Sequence, residues 1–482
     1  MRTPTDQKYS ENNVLLLQTL PHDTPGLLID AFYHEYGESL KQSQISMLSS
    51  FNLECKTDVS GVFLVLDLGG STLKIATVEL NAKNSKILFQ KSWEVANDQK
   101  VMNEQFFDMI ALNLNDFVSA FKTIDNTSYL QLLNGNCIKT GVSWSFPLNQ
   151  SSPNNGTINS LGKGYRSTDY TENQNISSLI ELSCQKLNLS IKIICICNDS
   201  ISVLVSAKYF NQNTQLGLVL GTGINCSFVI PSEKLPPFKI ILGELNEKFS
   251  IINSELCFFG GSQLSFHALI FDKLITDNWL SGNKKPHLNN ETENLYTPLE
   301  LMTSGRYVCE LVRLSLIYEI ENKNLFDGNL PPNLVDQKFH LSGDLVVSIF
   351  HKNDFSDFNK IYPFENQYRI ADRDRKVARQ CIKAIVNRAV VVCGSALVAL
   401  LIFINDIAND RHFSCISKNT NQISIGFVGS FLKYFDYYKS NLQKFINQNY
   451  RMASVSLTYI KDSNLYGPAI AAAANSKDAE AW

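Results

Sequence analysis

The spacing of apolar and polar residues differs from segment to segment along the chain, and each spacing predicts a strand or a helix. The segments "GVFLVLDLGG", "TLKIATVEL" and "KILFQKSWEV", between Gly61 and Val95, are typical of three strands joined by short turns. "EQFFDMIALNLNDFVSAFKTI" carries apolar residues at helical spacing, and "IKTGVSWSFPL" predicts a further strand that ends at Pro147. The resulting β-β-β-α-β order predicts an α/β lobe.

The same order begins again at Leu216. "LGLVLGTGINCSFVI" and "FKIILGELNEKFSIINSE" repeat an apolar strand, a glycine-hydroxyl turn and a second strand, which indicates an internal duplication. "GPAIAAAANS" near the end predicts a small-residue helix that packs against the first lobe. We therefore predict a small lobe at 57–198 with 463–482 returning to it, a large lobe at 199–462, and an N-terminal helical segment at 1–56 that packs on the large lobe.

One long apolar run raises the question of a membrane. The run from Ala389 to Ile404 stops short of the roughly 18 to 20 residues that a membrane span needs, and it follows a charged segment. We expect a helix buried between other elements. "VLLLQTL" near the N-terminus is too short for a secretory signal, so a cytoplasmic location is expected.

Composition narrows the class of partner. The chain has 482 residues, 44% of them apolar, which is enough for two lobes. A net charge of -3 without a basic block makes nucleic acid an unsuitable partner. Eleven cysteines without a C-x-x-C pair suit reduced thiols better than a disulfide framework or a zinc site. The sequence leaves the oligomeric state open.

The turn after the first strand holds the first candidate chemistry. Two glycines, Gly69 and Gly70, let backbone amides approach a phosphate, and Ser71 and Thr72 add hydroxyl donors. Asp67 at the end of the strand can hold Mg²⁺, through water, and Lys74 adds positive charge. A tight hairpin without a ligand is the competing interpretation.

A second turn, Gly221-Thr222-Gly223, stands at the equivalent point of the second repeat. Two such turns in two repeated lobes predict a nucleotide clamped between them. Neither turn matches G-x-x-x-x-G-K-[ST] or G-x-G-x-x-G, which disfavours P-loop and Rossmann chemistry.

Between the turns, "CNDS" places Asn198 and Asp199 after an apolar strand. A hydroxyl that accepts a phosphoryl group needs a carboxylate within hydrogen-bond reach, and Asp199 suits that role. An Asn-Asp pair that only caps a helix is the alternative.

Together these segments resemble the eukaryotic hexokinase family from about Gly61 onward. "LDLGGSTLKIA" and "GTGIN" resemble its phosphate motifs, "WSFPLNQ" and "LGKGY" its sugar-binding segments, and "CNDS" its catalytic segment. "INSE", "LELMTSGRYVCELVR", "GFVGSF" and "GPAIAAA" follow in the family's order. Within the family, the sequence is most similar to fungal N-acetylglucosamine kinases and divergent hexokinase-like proteins.

The resemblance implies a two-lobed actin-like ATPase and sugar kinase fold, in which each lobe is a mixed β-sheet flanked by helices and a cleft separates the lobes. It implies ATP and Mg²⁺ as cofactors, Asp199 as general base on the sugar 6-hydroxyl, and Lys163 beside the transferred phosphoryl group. The implied sugar site consists of Ser145, Gly162, Lys163, Asn198, Asp199, Asn225, Glu255 and Glu300. The implied nucleotide site consists of Asp67, Gly69, Gly70, Ser71, Thr72, Lys74, Gly221, Thr222, Gly223, Gly429 and Ser430.

The chain departs from glucose-phosphorylating members near the sugar and the nucleotide base. Leu256 and Cys257 replace Trp-Gly, Gly162 replaces Thr, and Val428 stands where an acid is usual near the Gly-Ser pair. Less bulk near the sugar favours a 2-acetamido substituent, hence N-acetylglucosamine as the substrate. A glucose or hexose kinase, and a sugar-sensing regulator with weak catalysis, stay open as alternatives.

Overall fold

The computed structural model describes residues 24–50, 59–81, 84–133, 137–146, 148–158, 165–239, 249–276, 296–366, 368–409 and 421–476. Its strands are β1 (Leu48–Ser49), β2 (Gly61–Leu68), β3 (Thr72–Leu80), β4 (Lys86–Glu94), β5 (Val101–Met102), β6 (Ile138–Trp144), β7 (Leu148–Ser152), β8 (Asn155–Ile158), β9 (Arg166–Ser167), β10 (Ile191–Cys197), β11 (Thr214–Leu220), β12 (Ile224–Pro231), β13 (Phe249–Asn253), β14 (Gln422–Val428) and β15 (Ser454–Tyr459).

The helices in the same ranges are α1 (Thr24–Gln42), α2 (Glu104–Ile124), α3 (Asn126–Leu132), α4 (Ile176–Gln185), α5 (Asp199–Phe210), α6 (Gly261–Ser265), α7 (Ile270–Ile275), α8 (Pro298–Thr303), α9 (Gly305–Glu321), α10 (Pro332–Asp336), α11 (Gly343–Val347), α12 (Ser356–Ile361), α13 (Asp372–Asn409), α14 (Ser430–Tyr434), α15 (Asp436–Asn449) and α16 (Ser463–Asn475).

Two mixed sheets repeat one topology, which confirms the predicted duplication. The small sheet has the order β10-β6-β2-β3-β4, and the large sheet has the order β1-β13-β12-β11-β14-β15. In each, three consecutive antiparallel strands are followed by two strands parallel to the first of them. The carboxyl ends of the parallel strands therefore meet at one edge of each sheet, where ligands bind in open α/β sheets.

The small sheet is covered on both faces. Helix α2 begins at its cap Asn103, whose side chain accepts a hydrogen bond from Phe106 N at 3.1 Å. Its apolar residues recur at helical spacing and share a core with Leu64, Leu66 and other residues of one face of the sheet. The opposite face, which carries Val65, packs against α5 and α16.

Helices α5 and α16 form a layer between the two sheets. Helix α5 packs on β11 and β12 of the large sheet, while α16 packs on β2, β6 and β10 of the small sheet. The two helices approach closely at Gly467, which has no side chain. A Cβ at this position would overlap the backbone of Ser202. The small-residue helix α16 thus contacts the sheet of the first lobe, and the division into lobes stays a prediction.

The N-terminal segment packs on the large sheet. Helix α1 lies along α13, and the Glu35 carboxylate accepts a hydrogen bond from Gly260 N at 2.8 Å. The segment is not wholly helical as predicted, because Leu48–Ser49 forms β1, which pairs with β13 at the sheet edge. Residues 1–23 and 51–58 lie outside the described residues.

Helix α13 contains the long apolar run. The structure confirms it as a helix buried between other elements: Val392, Leu397 and Leu400 are fully buried in the core of the large sheet. By length and composition α13 could cross a membrane, but 72% of its most apolar stretch is buried inside the protein.

Candidate active site

The first glycine turn connects β2 to β3 at the edge of the small sheet. Gly69 N donates a hydrogen bond to Thr72 O at 2.9 Å and closes the turn. Tyr165 donates its hydroxyl hydrogen to Gly69 O at 3.3 Å, which fixes the turn from outside. Ser71 is exposed, and Gly70 is partly exposed. Amides and hydroxyls at such an open turn suit a phosphate.

Asp67 is buried directly beneath this turn, with only 3% of its surface exposed. Burial raises its pKa to about 6, against the lowering influence of Ser143, Lys74 and Asn464, and the Asp199 carboxylate contributes to the rise. Lys74 and Ser143 are its direct neighbours across β3 and β6.

The Asp67 Oδ1 atom is buried and makes no hydrogen bond to any described residue, and the same holds for the Ser143 hydroxyl. Buried oxygens without partners are the expected surroundings of a hydrated cation. No group of three or more His, Cys, Asp or Glu side chains suited to a metal occurs in the described part of the chain. A cation here would thus take most of its ligands from water and phosphate.

Asp199 opens helix α5, and Asn198 is the cap of that helix. The Asn198 Oδ1 atom accepts hydrogen bonds from Ser200 N and Ser200 Oγ, both at 3.0 Å, and Asp199 Oδ1 accepts from Ser200 N at 2.8 Å. Asn198 therefore does cap the helix. The cap does not exclude a catalytic role for Asp199, whose negative charge contributes to the raised pKa of Asp67 at the first turn. Asn198 and Asp199 lie at the N-terminus of α5, the positive end of its helix dipole, which favours anions.

The second glycine turn connects β11 to β12. Gly221 N donates to Gly223 O at 3.0 Å, the counterpart of the bond in the first turn, and Gly221 O accepts from Gly305 N at 2.7 Å. Gly429, at the end of the neighbouring strand β14, has φ +123°, and a side chain there would overlap the carbonyl of Leu220. Only glycine suits this close contact between position 429 and the start of the second turn.

A cleft of about 260 Å³ opens beside this contact. Gly221, Thr222 and Ser430 line it, so the structure brings together three residues that the sequence assigned to the nucleotide. Its further lining includes Arg306, Phe339, Asp344 and Tyr434.

Sequence reasoning did not single out these four residues. Arg306 lies within a quoted motif, and its guanidinium carbon is 5.0 Å from the Phe339 ring centre. Phe339 has the left-handed φ of 61° and donates its N–H to Glu310 at 2.8 Å. No local sequence signal marks that backbone conformation, and the Glu310 that accepts this hydrogen bond, ion-paired with Arg313, belongs to another segment.

Four polar residues form what we term the asparagine–glutamate cluster: Asn198, Asn225, Asn253 and Glu255. Asn225 Nδ2 donates to Asn253 Oδ1 at 3.0 Å, and Asn253 Nδ2 donates to Glu255 Oε1 at 2.7 Å. Asn225 Nδ2 also lies 3.4 Å from Asn198 Oδ1. Glu255 is 8% exposed and has the left-handed φ of 49°, which indicates a carboxylate held in place at a cost in backbone strain.

The sequence identified three members of this cluster but missed Asn253, although it stands within the quoted "INSE". Part of the cluster lines a cleft together with apolar side chains. This lining comprises Asn198, Asn253, Glu255, Gln150, Trp144, Phe146, Leu148, Ile201 and residues 48–50.

Ser145 and Glu300 lie at the borders of the site. Ser145 follows β6, and its N–H donates to Leu68 O at 3.3 Å beside the first turn. Glu300 Oε2 accepts a hydrogen bond from Ile224 N at 3.1 Å and lies against Gly223, so Glu300 contacts the second turn. Gly162 and Lys163 lie outside the described residues.

Leu256 and Cys257, the two departures that suggested space beside the sugar, are 0% and 9% exposed and belong to the apolar core of the large sheet. Their effect on the size of the sugar site stays a prediction.

Comparison with known proteins agrees with this geometry. Two hexokinase domain profiles match residues 215–474 and 16–209. The chain belongs to the hexokinase family. It is 29% identical over 466 residues to N-acetylglucosamine kinase 1 of Candida albicans, covering 93% of this chain and 90% of that protein. It is 27% identical to the Hexokinase-like 1 protein of Arabidopsis thaliana, covering 86% of this chain and 80% of that protein.

The fold comparison points the same way. The hexokinase of Schistosoma mansoni complexed with glucose matches with a TM-score of 0.76 at 22% identity, covering 95% of this chain and 96% of that one. This confirms the two-lobed sugar kinase fold of the hexokinase type. As a member of that family, the chain is a phosphotransferase of the sugar kinase class.

Proposed function

We propose that this hexokinase-family protein transfers the γ-phosphoryl group of ATP to the 6-hydroxyl of N-acetylglucosamine, with Asp199 as general base. One observation carries the proposal: Asp67 pairs with Ser143, and Ser143 with Cys197, so Asp199 follows β10 at the same end of the small sheet as the first turn. Its neighbour Asn198 belongs to the asparagine–glutamate cluster. A base, a phosphate turn and a polyhydroxyl-binding cluster thus adjoin one another.

The proposed step uses these residues as follows. The cluster binds ring hydroxyls, for which amide and carboxylate groups are suited donors and acceptors. Asp199 takes the proton of the 6-hydroxyl while that oxygen attacks the γ-phosphorus, and the bond to the β-phosphate oxygen breaks to release ADP. The two glycine turns donate backbone N–H groups to the phosphates.

Asp67, assisted by water, would hold the Mg²⁺ that accompanies ATP. Its buried oxygen without a protein partner fits that role. When bound, the cation neutralises phosphate charge.

The choice of N-acetylglucosamine draws support from the similarity to the Candida albicans kinase. The decisive experiment is a sugar panel with Mg-ATP and coupled detection of ADP. We expect the highest kcat/KM for N-acetylglucosamine. Turnover of glucose without turnover of N-acetylglucosamine would replace our proposal with a hexose kinase.

A sugar sensor is the second candidate, because Val428 replaces the acid expected near the Gly429-Ser430 pair. Sugar binding measured by calorimetry, without turnover of any hexose or hexosamine, would favour that candidate.

A further inference from the structure

Strand β1 forms one wall of the cleft that contains Asn253 and Glu255. Its residues Leu48 and Ser49, together with Ser50, line this cleft. Leu48 pairs directly with Asn253 in the antiparallel register of β1 and β13. Any shift of β1 along β13 would therefore change the shape of the cleft beside the asparagine–glutamate cluster.

A buried lysine holds the turn that leads into this wall. Lys239 is 6% exposed, and its Nζ donates to the carbonyl oxygens of Ser39, Ser46 and Met47 at 3.0, 2.8 and 2.9 Å. An ammonium group has three N–H donors, so all of them are used. Burial lowers the Lys239 pKa to about 8, and at neutral pH the ammonium form prevails.

The backbone of this turn is strained, and the hydrogen bonds from Lys239 stabilise it. Met47, directly before β1, has the left-handed φ of 53°, and its N–H donates to Ser254 O at 3.1 Å. A residue other than glycine in that conformation costs on the order of 1–3 kcal/mol and persists only where its surroundings hold it. Lys239 binds the Met47 carbonyl and the carbonyl before it, so it holds the strained residue from the side opposite Ser254.

We propose that Lys239 is a positioning residue for sugar binding, which fixes the turn before β1 and thereby places Ser49 and Ser50 against the bound sugar. Lys239 does not itself line the cleft; it acts through the backbone of Ser46 and Met47. The inference rests on the proposed function, because it assigns this cleft to the sugar.

The test compares Lys239→Met, Lys239→Arg and the control Lys41→Ala. Lys41 is 69% exposed on α1 and pairs only with Glu38 among the described residues. Calorimetry gives Kd for N-acetylglucosamine, glucose and ATP, and steady-state kinetics give both KM values and kcat. Lys239→Met should weaken sugar binding by about tenfold, the scale of one lost charged hydrogen bond, and leave ATP binding within about twofold. Lys239→Arg should recover part of the loss, and Lys41→Ala should match the wild type.

Folded Lys239→Met protein with unchanged sugar Kd, or with sugar and ATP weakened equally, overturns the inference. If Lys239→Met does not fold, Ser49→Leu tests the wall directly: sugar binding should weaken while ATP binding is kept, and unchanged sugar binding contradicts the inference. Wild-type protein that binds no sugar contradicts both this inference and the proposed function. Wild-type turnover with variants that bind sugar normally contradicts this inference alone.

Discussion

Asp67 and Asp199 lie at the same end of the small sheet, because Asp67 pairs with Ser143 and Ser143 pairs with Cys197, two residues before Asp199. Burial is the main cause that raises the Asp67 pKa to about 6, and the Asp199 charge adds to the effect. A nearby negative charge disfavours ionisation of Asp67, and a bound cation would relieve that repulsion. The pair thus couples the proposed Mg²⁺ position to the proposed base.

The raised pKa of Asp67 predicts how kcat/KM decreases at acidic pH. Below pH 6 Asp67 is protonated and loses the charge that would hold the cation, so kcat/KM should fall as the pH decreases through about 6. Excess Mg²⁺ favours the ionised form and should move this limb to lower pH. Asp67→Asn should lose about 100-fold or more in kcat/KM, the scale of a lost electrostatic group. Asp67→Asn with wild-type activity would refute the role of Asp67.

Glu255 should determine sugar affinity. Glu255→Gln keeps the shape and the hydrogen bond from Asn253 but removes a charged acceptor, which is worth about 1.5–3 kcal/mol in such a site. We expect sugar KM to rise by about 10- to 100-fold while ATP KM stays within about twofold. Glu233→Gln, at an exposed position in the short 3₁₀ helix after β12, is the control. An equal effect of both variants would contradict the role of Glu255.

Gly429 should tolerate no side chain. A Cβ there would overlap the Leu220 carbonyl, and its φ of +123° disfavours any other residue. Gly429→Ala should lower the free energy of unfolding by about 1–3 kcal/mol and raise ATP KM. Urea denaturation and kinetics measure the two effects. Gly26→Ala is the matched control, because nothing lies within 4 Å of its added Cβ. A stable Gly429→Ala protein with normal ATP KM would contradict the close contact.

Glu35 should make stability depend on pH. Burial raises its pKa from 4.5 to about 7, so between these values the folded state binds more protons than the unfolded state, and stability falls as the pH rises. The loss amounts to about 3 kcal/mol by pH 8. Glu35→Gln keeps an acceptor for Gly260 N and should remove this loss. Equal slopes of unfolding free energy against pH for both proteins would exclude Glu35 as the cause.

Local patterns predicted most of the fold. Helix α2 follows from its helical spacing, and the strands β2, β3 and β4 follow from successive apolar runs joined by short turns; β2 and β3 are buried on both faces. Strand β1 could not be predicted, since two residues become a strand only by pairing with β13, far along the chain.

The residues of the candidate site were likewise predictable only in part. Turns and acids that follow apolar strands are visible in the sequence, as Asp67 and Asp199 show. Phe339 and Lys239 act through backbone conformation and contacts between distant segments, which leave no local pattern. Leu256 and Cys257 are departures that the sequence shows directly, but their burial in the core depends on packing that no local pattern reveals.

The most direct test of the central claim is the turnover of N-acetylglucosamine by Asp199→Asn with saturating Mg-ATP. Asparagine keeps an oxygen for the Ser200 N–H but cannot accept the proton of the 6-hydroxyl. We predict a loss of about 100- to 10,000-fold in kcat, with sugar Kd within about threefold of the wild type. Turnover by Asp199→Asn within about threefold of the wild-type rate would contradict the assignment of Asp199 as the base.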